Sequence, residues 1–197
     1  MDGFSELVAR LLIDAGVPKP AVLRHGREEL TLPGFFRPTK QWNLVVVSGA
    51  ALLASVEFKS LCGPSFGNNY NNRIEEAVGS ATDIWTAYRE GAFQTSPRLV
   101  LGYAFLLEEA DASLRPVSVR EKHFPVFSEY RGVSYAVRCE ESVRRLVRER
   151  CYDTACFLLS NRKAGARGRY REPADDLSFE RFARTLCNQV LGAFRSL

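Results

Sequence analysis

Strand-length apolar runs separated by stretches of helical periodicity constrain the fold of this chain most strongly. WNLVVV (residues 42–47) and LLASVEFKS (52–60) flank a Ser-Gly turn signal and predict a β-hairpin. RLVLGYAFLL (98–107) is apolar throughout, which fits a strand buried on both faces and also a short core helix. ACFLLS (155–160) predicts one more strand.

Apolar residues recur at helical spacing around these strands. We predict helices over residues 4–15, 73–90 and 135–150, and a last helix that starts at Asp175 or Asp176. Interleaved strands and helices predict an α/β protein, in which a mixed β-sheet with a central hairpin is flanked by helices. With 197 residues and no internal repeat or linker, residues 1–197 are expected to form a single domain.

The composition excludes several classes of protein. Hydrophobic residues make up 46% and charged residues 25% of the chain, values typical of a globular protein rather than a disordered or fibrous one. No apolar run reaches the roughly 18 to 20 residues of a membrane helix, and the N-terminal segment lacks the pattern of a secretory signal. We therefore expect a cytoplasmic protein without membrane contact, whose five cysteines are reduced.

The charge distribution favours a nucleic-acid partner without requiring one. Residues 1–130 contain 13 Lys and Arg against 15 Asp and Glu, whereas residues 131–197 contain 14 against 8. Arginine supplies 22 of the 27 basic residues, and its planar guanidinium suits phosphates and guanine edges. Genomic base composition explains the same arginine excess, and composition alone also permits an α/β interaction domain with no nucleic-acid role.

The second strand of the predicted hairpin carries the candidate catalytic residues. Glu57 and Lys59 lie two residues apart and therefore on the same face of the strand. The hairpin turn would place Asn43 opposite Val56 or Glu57. Such a cluster suits metal-assisted phosphodiester hydrolysis, in which acidic ligands hold Mg²⁺ and a lysine orients water or offsets charge. A solvated strand face with an ordinary ion pair explains the same pattern.

Asn43 is the weak point of this candidate site. Its amide oxygen is uncharged, whereas Mg²⁺ favours carboxylates. No aspartate lies between Asp14 and Asp83, so the first strand offers no nearby substitute. A metal site that includes Asn43 should therefore bind its ion weakly.

Three longer segments resemble the XhoI-type restriction endonuclease family. They are TLPGFFRPTKQWNLVVV, VEFKSLCGPSFGNNYNNRIEEAVGSATDIWTAYREGAF and HFPVFSEYRGVSY, and the resemblance extends from residues 1–4 to about Pro173. It implies a restriction-endonuclease-like core of the PD-(D/E)xK superfamily, a homodimer and Mg²⁺ as cofactor. It also implies cleavage of double-stranded DNA at a palindrome of the CTCGAG type, within a restriction-modification system whose methyltransferase protects the same site.

The resemblance assigns roles residue by residue. Glu57 and Lys59 match the acidic residue and the lysine of the family's catalytic motif, and Asn43 stands where the family has its first catalytic aspartate. The implied metal ligands are Asn43 and Glu57, and Glu76 is an additional candidate ligand. The change at position 43 implies impaired cleavage, from a deliberate substitution or a naturally impaired member, and leaves a sequence-specific DNA-binding protein without cleavage as the alternative. Family members extend before residues 1–4, so we expect an N-terminal portion of the family to be missing.

Candidate DNA contacts lie in three parts of the chain. The first is a predicted loop before the second helix, whose side chains could read bases or simply form a turn and helix cap. Its residues are Asn68, Asn69, Asn71, Asn72 and Arg73. The others are phosphate contacts by Arg37 and Lys40 before the hairpin, where solvated surface is the simpler explanation, and by Arg167 and Arg169 in the basic loop 161–173, which a mobile, solubilising loop explains equally well.

Two further predictions concern packing. Glu75 and Glu76 are expected to begin the second helix, where carboxylates favour the positive end of the helix dipole. Phe36 and Trp42 are expected to be core aromatics rather than platforms for stacking bases.

Overall fold

The computed structural model describes residues 2–197 and confirms the mixed α/β architecture. The strands are β1 (Val22–Leu23), β2 (Thr31–Pro33), β3 (Thr39–Gln41), β4 (Leu44–Ser48), β5 (Ala51–Leu61), β6 (Val100–Glu108) and β7 (Thr154–Ser160). The helices are α1 (Asp2–Asp14), α2 (Phe66–Arg89), α3 (Asp111–Leu114), α4 (Tyr135–Arg148), α5 (Arg162–Gly165) and α6 (Phe179–Arg195).

Five strands form the central sheet in the order β1-β4-β5-β6-β7. Neighbours from β1 to β5 are antiparallel, whereas β5, β6 and β7 run parallel to one another. A parallel neighbour requires a crossover connection, which α2 provides between β5 and β6, and α4 between β6 and β7. The short strands β2 and β3 pair separately beside this sheet.

The predicted hairpin is present, and its register is the one that the turn implies. Leu44 pairs with Val56, whereas Ser48 pairs with Ala51 beside the turn. The register shifts by one residue because a bulge lies between Val46 and Val47. The pairing places the residue immediately before β4, Asn43, alongside the middle of β5.

Each face of the sheet is covered by a pair of helices. On one face α2 and α4 pack against residues such as Leu101 and Tyr103, and on the other α1 and α6 pack against Val100 and Ala104. Alternate residues of β6 thus enter two different cores, which establishes residues 98–107 as a strand rather than a core helix. None of the helices within residues 2–197 combines the length and hydrophobicity of a membrane-spanning segment.

Helix α2 begins at Phe66, so the prediction that residues up to Arg73 form a loop before the helix is wrong. Asn68, Asn69, Asn71 and Asn72 lie in the first turns of the helix. Phe66 is buried and stacks on Tyr135, and Tyr70 hydrogen-bonds to Ser142 of α4 over 2.7 Å. These tertiary contacts outweigh the low helix propensity of asparagine, which misled the local prediction.

The last helix is also displaced from its predicted start. Asp175 and Asp176 form a short 3₁₀ turn, and α6 begins after Ser178, whose hydroxyl accepts the backbone N–H of Arg181 over 3.4 Å. Ser178 therefore acts as the N-cap in place of either aspartate. All five cysteines are free thiols in this structure.

Candidate active site

Glu57 lies on β5 with both of its carboxylate oxygens paired to lysines. Lys40 Nζ is 2.7 Å from Oε2, and Lys59 Nζ is 2.7 Å from Oε1. Only 3% of Glu57 is exposed, so two ammonium groups compensate a charge that would otherwise be costly to bury. The structure thus brings Glu57 and Lys59 together, as the two-residue spacing predicts.

Asn43 lies just before β4, opposite the segment of β5 that contains Glu57. Its backbone N–H donates to the carbonyl of Val56 over 3.3 Å, and its side-chain Oδ1 accepts the backbone N–H of Phe58 over 2.8 Å. This position agrees with the pairing expected from the hairpin. The amide oxygen that would face a metal already takes part in a hydrogen bond.

Glu76 reaches the same cluster from α2. Its carboxylate lies 3.4 Å from Lys59 Nζ and also pairs with Arg73. Burial raises the pKa of Glu76, but the charges and hydrogen bonds of Lys59 and Arg73 outweigh it, so this pKa lies below its usual value. Glu75 and Glu76 lie well inside α2, and the prediction that they begin the helix is wrong.

Lys40 belongs to the cluster rather than to the solvated surface. It lies on β3 with its Nζ 4.4 Å from the ring centre of Trp42, which is buried as predicted. Burial lowers the pKa of Lys40, and the neighbouring carboxylate of Glu57 partly restores it. Seventeen residues separate Lys40 from Glu57, so no local spacing in the sequence indicates their contact.

Arg37 forms a structural ion pair with a buried carboxylate on α2. Its Nε lies 2.7 Å from Asp83 Oδ2, and its guanidinium also donates to the hydroxyl of Ser80 over 3.2 Å. Asp83 Oδ1 accepts the backbone N–H groups of Phe35 and Phe36 over 2.8 and 2.7 Å. Asp83, whose role no local sequence pattern indicates, thus anchors the loop that precedes β3.

Replacing Asp83 with Ala should lower the free energy of unfolding by about 2 to 4 kcal/mol, because two backbone donors and Arg37 lose a common acceptor. Burial raises the pKa of Asp83, but the bonds from Arg37 and from the two phenylalanine N–H groups lower it further. A depressed folded-state pKa means that this stabilisation is complete above about pH 4 and is lost as the pH falls through that pKa.

Urea unfolding of the parent chain and of the Asp83 variants would measure the effect. Asp83→Asn is the matched control, since an amide oxygen can still accept the backbone bonds and should lose less stability than Asp83→Ala. Equal unfolding free energies for the parent and Asp83→Ala would contradict the anchoring role.

Phe36 is not a core residue, and that prediction is wrong. It is 71% exposed, and its neighbour Phe35 is 51% exposed. The loop conformation fixed by Asp83 carries both rings outward instead of into the sheet's core.

The asparagine-rich start of α2 adjoins the cluster. Asn68, Asn71 and Asn72 are exposed, and their spacing of three and four residues places them on one face of the helix. Arg73 connects this segment to the cluster through its ion pair with Glu76. A helix, not a loop, therefore presents these side chains.

Arg167 and Arg169 are exposed in the loop that follows α5. The ion pairs around this loop run to the C-terminal end of β6, where Arg162 pairs with Glu108 and Arg171 with Glu109. These contacts join the loop to β6 rather than to the Glu57 cluster.

The chemistry of the side chains at this site fits Mg²⁺ in donor type. Glu57 and Glu76 supply carboxylates and Asn43 an amide oxygen, all hard donors, although no group of three or more His, Cys, Asp or Glu gathers within residues 2–197. Four buried polar atoms within residues 2–197 have no hydrogen-bond partner, and two of them, Tyr103 Oη and Arg73 Nε, belong to side chains at or beside this site. Tyr103 is the β6 partner of Glu57, so unmet hydrogen-bonding capacity borders the carboxylates.

The charge balance of the cluster disfavours tight metal binding. Three cationic side chains face two carboxylates, which leaves one positive charge in excess. An ion that binds here competes with two ammonium groups for Glu57, and Asn43 contributes no charge in return. The same excess attracts phosphate groups.

Comparison with known proteins identifies the family. The model of the restriction endonuclease XhoI family matches residues 1–172. The chain is 47% identical over 195 residues to the type II restriction enzyme BstVI of Geobacillus stearothermophilus, a match that covers 96% of this chain and 86% of that enzyme. It is 45% identical over 147 residues to the type II restriction enzyme XhoI of Xanthomonas vasicola, covering 75% of this chain and 59% of the relative.

A third match, to the type II restriction enzyme AbrI of Azospirillum brasilense, is 51% identical over 124 residues and covers 63% of this chain and 55% of that relative. No solved structure matches the chain. The five-stranded mixed sheet flanked by helices agrees with a restriction-endonuclease-like fold. The family model spans most of the chain, and the protein therefore belongs to the XhoI restriction endonuclease family.

Proposed function

We propose that this chain is a type II restriction endonuclease that hydrolyses double-stranded DNA at a palindrome of the CTCGAG type. The observation that carries the proposal is the Glu57–Lys59 pair on β5, with Asn43 hydrogen-bonded to the intervening Phe58. Membership of the XhoI family supplies the substrate class, and Asn43 is proposed to impair the cleavage step.

The residues that would hold Mg²⁺ are Glu57 and Asn43, and Glu76 is an additional candidate ligand. Bound Mg²⁺ would supply a Lewis acid that polarises the scissile phosphate and acidifies a water. Lys59 lies within 3.4 Å of both Glu57 and Glu76, so its ammonium is held between the two carboxylates. From there it can orient the attacking water and offset the charge that develops on the phosphate.

Lys40 and Arg73 have supporting roles in this mechanism. Lys40 holds the second oxygen of Glu57, which fixes the orientation of the carboxylate. Arg73 fixes Glu76 and adds positive charge beside the site where a phosphate would lie. Asn68, Asn71 and Asn72 on the same end of α2 are the proposed base-reading side chains.

A palindromic target implies a symmetric enzyme, because two related active sites are needed to cut both strands. We propose a homodimer in the cytoplasm, which a methyltransferase of the same specificity accompanies to protect host DNA. The two-fold axis of the dimer would coincide with that of the recognition sequence.

A second function is favoured by the hydrogen bonds of the site. Asn43 Oδ1 is bound to Phe58, and both oxygens of Glu57 are bound to lysines. With one positive charge in excess, the cluster can bind a phosphate while holding no metal. A sequence-specific DNA-binding protein without cleavage is consistent with this arrangement.

Gel shifts and plasmid digestion together test the proposal. In the presence of chelator, a CTCGAG duplex should bind at least about 1,000-fold more tightly than a scrambled duplex. With Mg²⁺, any cleavage should map to CTCGAG, and its absence despite specific binding would support the DNA-binding alternative. A chain that binds no duplex even at low salt would contradict both functions and leave an interaction domain.

A further inference from the structure

The loop before β3 presents two adjacent aromatic rings to solvent. Phe35 and Phe36, here called the phenylalanine tip, are 51% and 71% exposed, and their rings meet edge to face with centroids 5.1 Å apart. Exposed phenylalanine forgoes the stabilisation that burial provides, so a pair of them marks a surface for contact with another molecule.

The backbone beneath the tip is fixed by a buried carboxylate. Asp83 is 3% exposed, and it accepts the N–H groups of both phenylalanines and the guanidinium of Arg37. A Cβ at Gly34 would approach Asp83 Oδ2 to 2.4 Å and the Arg37 carbonyl to 2.7 Å, so only glycine allows this close approach. The two rings are thus held outward on a rigid support.

The tip is continuous with the candidate active site. A groove of about 550 Å³ is lined by Phe36 and Arg37 on one side and by Glu75, Glu76 and Ser80 of α2 on the other. Glu76, which lines this groove, contacts Lys59. The next strand, β3, carries Lys40 into the cluster. The tip therefore lies beside a groove that shares Glu76 with the cationic cluster.

We propose that the phenylalanine tip contacts DNA, with Phe36 acting as an apolar wedge against a base step of the bound duplex. The inference rests on the proposed function and adds residues that recognise or deform the substrate. Duplex DNA is the favoured occupant because the neighbouring cluster, with its excess positive charge, attracts phosphates, while bases offer flat faces to an aromatic ring. The groove itself holds three carboxylates against Arg37, so it suits base edges, which carry amino donors, rather than phosphates. A support that is rigid before binding lowers the entropic cost of inserting the ring.

Fluorescence and affinity of the full-length chain in chelator test the proposal. The probe is a CTCGAG duplex in which 2-aminopurine replaces the adenine or a flanking purine, because its fluorescence increases when it unstacks. Binding of the parent chain should raise the fluorescence at one or more of these positions. Phe36→Ala should abolish this rise and weaken binding about ten-fold, the effect expected from losing one stacked ring.

Two variants serve as controls. Phe36→Tyr retains the ring and should preserve both the fluorescence rise and the affinity. Leu7→Ala removes an exposed apolar side chain from α1, on the opposite face of the sheet, and should change neither. Because Phe36 is largely exposed, Phe36→Ala should unfold at the same temperature as the parent.

Three results would overturn the inference in distinguishable ways. Unchanged affinity and fluorescence with Phe36→Ala would reject the wedge while leaving the proposed function intact. A change from dimer to monomer in sedimentation of free Phe36→Ala would assign the tip to contacts between copies of the chain. Failure of the parent chain to bind any duplex would reject the inference together with the proposed function.

Discussion

Replacing Asn43 with Asp should raise the rate of Mg²⁺-dependent cleavage at CTCGAG by at least about 100-fold, a gain of about 2.7 kcal/mol in transition-state stabilisation. The substitution is nearly isosteric, so one carboxylate oxygen can keep the 2.8 Å bond from the N–H of Phe58. The added charge offsets the positive excess of the cluster and provides a ligand that Mg²⁺ prefers. Initial rates on a supercoiled plasmid with one such site, with Mg²⁺ and with chelator, would measure the change.

Asn188→Asp provides a matched control for this experiment. Asn188 is an exposed residue of α6, which packs on the opposite face of the sheet from α2. This variant adds the same charge away from the Glu57 cluster and should leave the cleavage rate of the parent unchanged. If the parent cuts as fast as Asn43→Asp, or if Asn43→Asp binds the site without cutting, Asn43 is not the cause of impaired cleavage.

The hairpin was predictable because the residues that specify it, two apolar runs and the turn between them, are adjacent in the sequence. Strand register follows from the position of the turn, and a shift by one residue would exchange the two faces of β5, which would move Glu57 and Lys59 away from α2. The register therefore fixed Asn43 next to the residues around Glu57, and the two-residue spacing fixed Lys59 on the same side. The bulge near Val46 changes the pairing only closer to the turn.

The start of α2 was not predictable from local patterns. Glycine and asparagine between residues 63 and 72 favour turns, yet Phe66 and Tyr70 pack against α4 and impose a helix. Those contacts join segments about 70 residues apart in the sequence, which no window of helical periodicity includes.

The same limit applies to the residues that complete the site. Lys40 meets Glu57, and Asp83 meets Phe36, only because β3 and the preceding loop fold over the hairpin and α2. Hydrophobicity alone predicts that Phe36 is buried. Its exposure follows from the hydrogen bonds of Asp83 to the loop backbone, which the sequence does not reveal. The single-domain assignment and the individual DNA contacts remain predictions.

In the Asn43→Asp variant, a further Lys59→Met substitution should reduce cleavage by at least about 1,000-fold, within the range for loss of a group that acts in proton transfer or charge stabilisation. Lys59 is the cation that contacts both Glu57 and Glu76, at 2.7 and 3.4 Å. Affinity for the CTCGAG duplex in chelator should change only a few-fold, because recognition depends on other contacts. Single-turnover cleavage and gel shifts separate the two effects.

Lys40→Met distinguishes a catalytic lysine from one that only balances the charge of Glu57. Both lysines lie 2.7 Å from that carboxylate, but the Lys40 side chain is 12% exposed and covered by Trp42, whereas that of Lys59 is 26% exposed. Lys59 therefore has better access to an incoming phosphate, and Lys40→Met should reduce cleavage less than Lys59→Met. Lys19→Met, on an exposed turn after α1, should have no effect. A larger loss with Lys40→Met than with Lys59→Met would reverse the two roles and assign the chemistry to the lysine on β3.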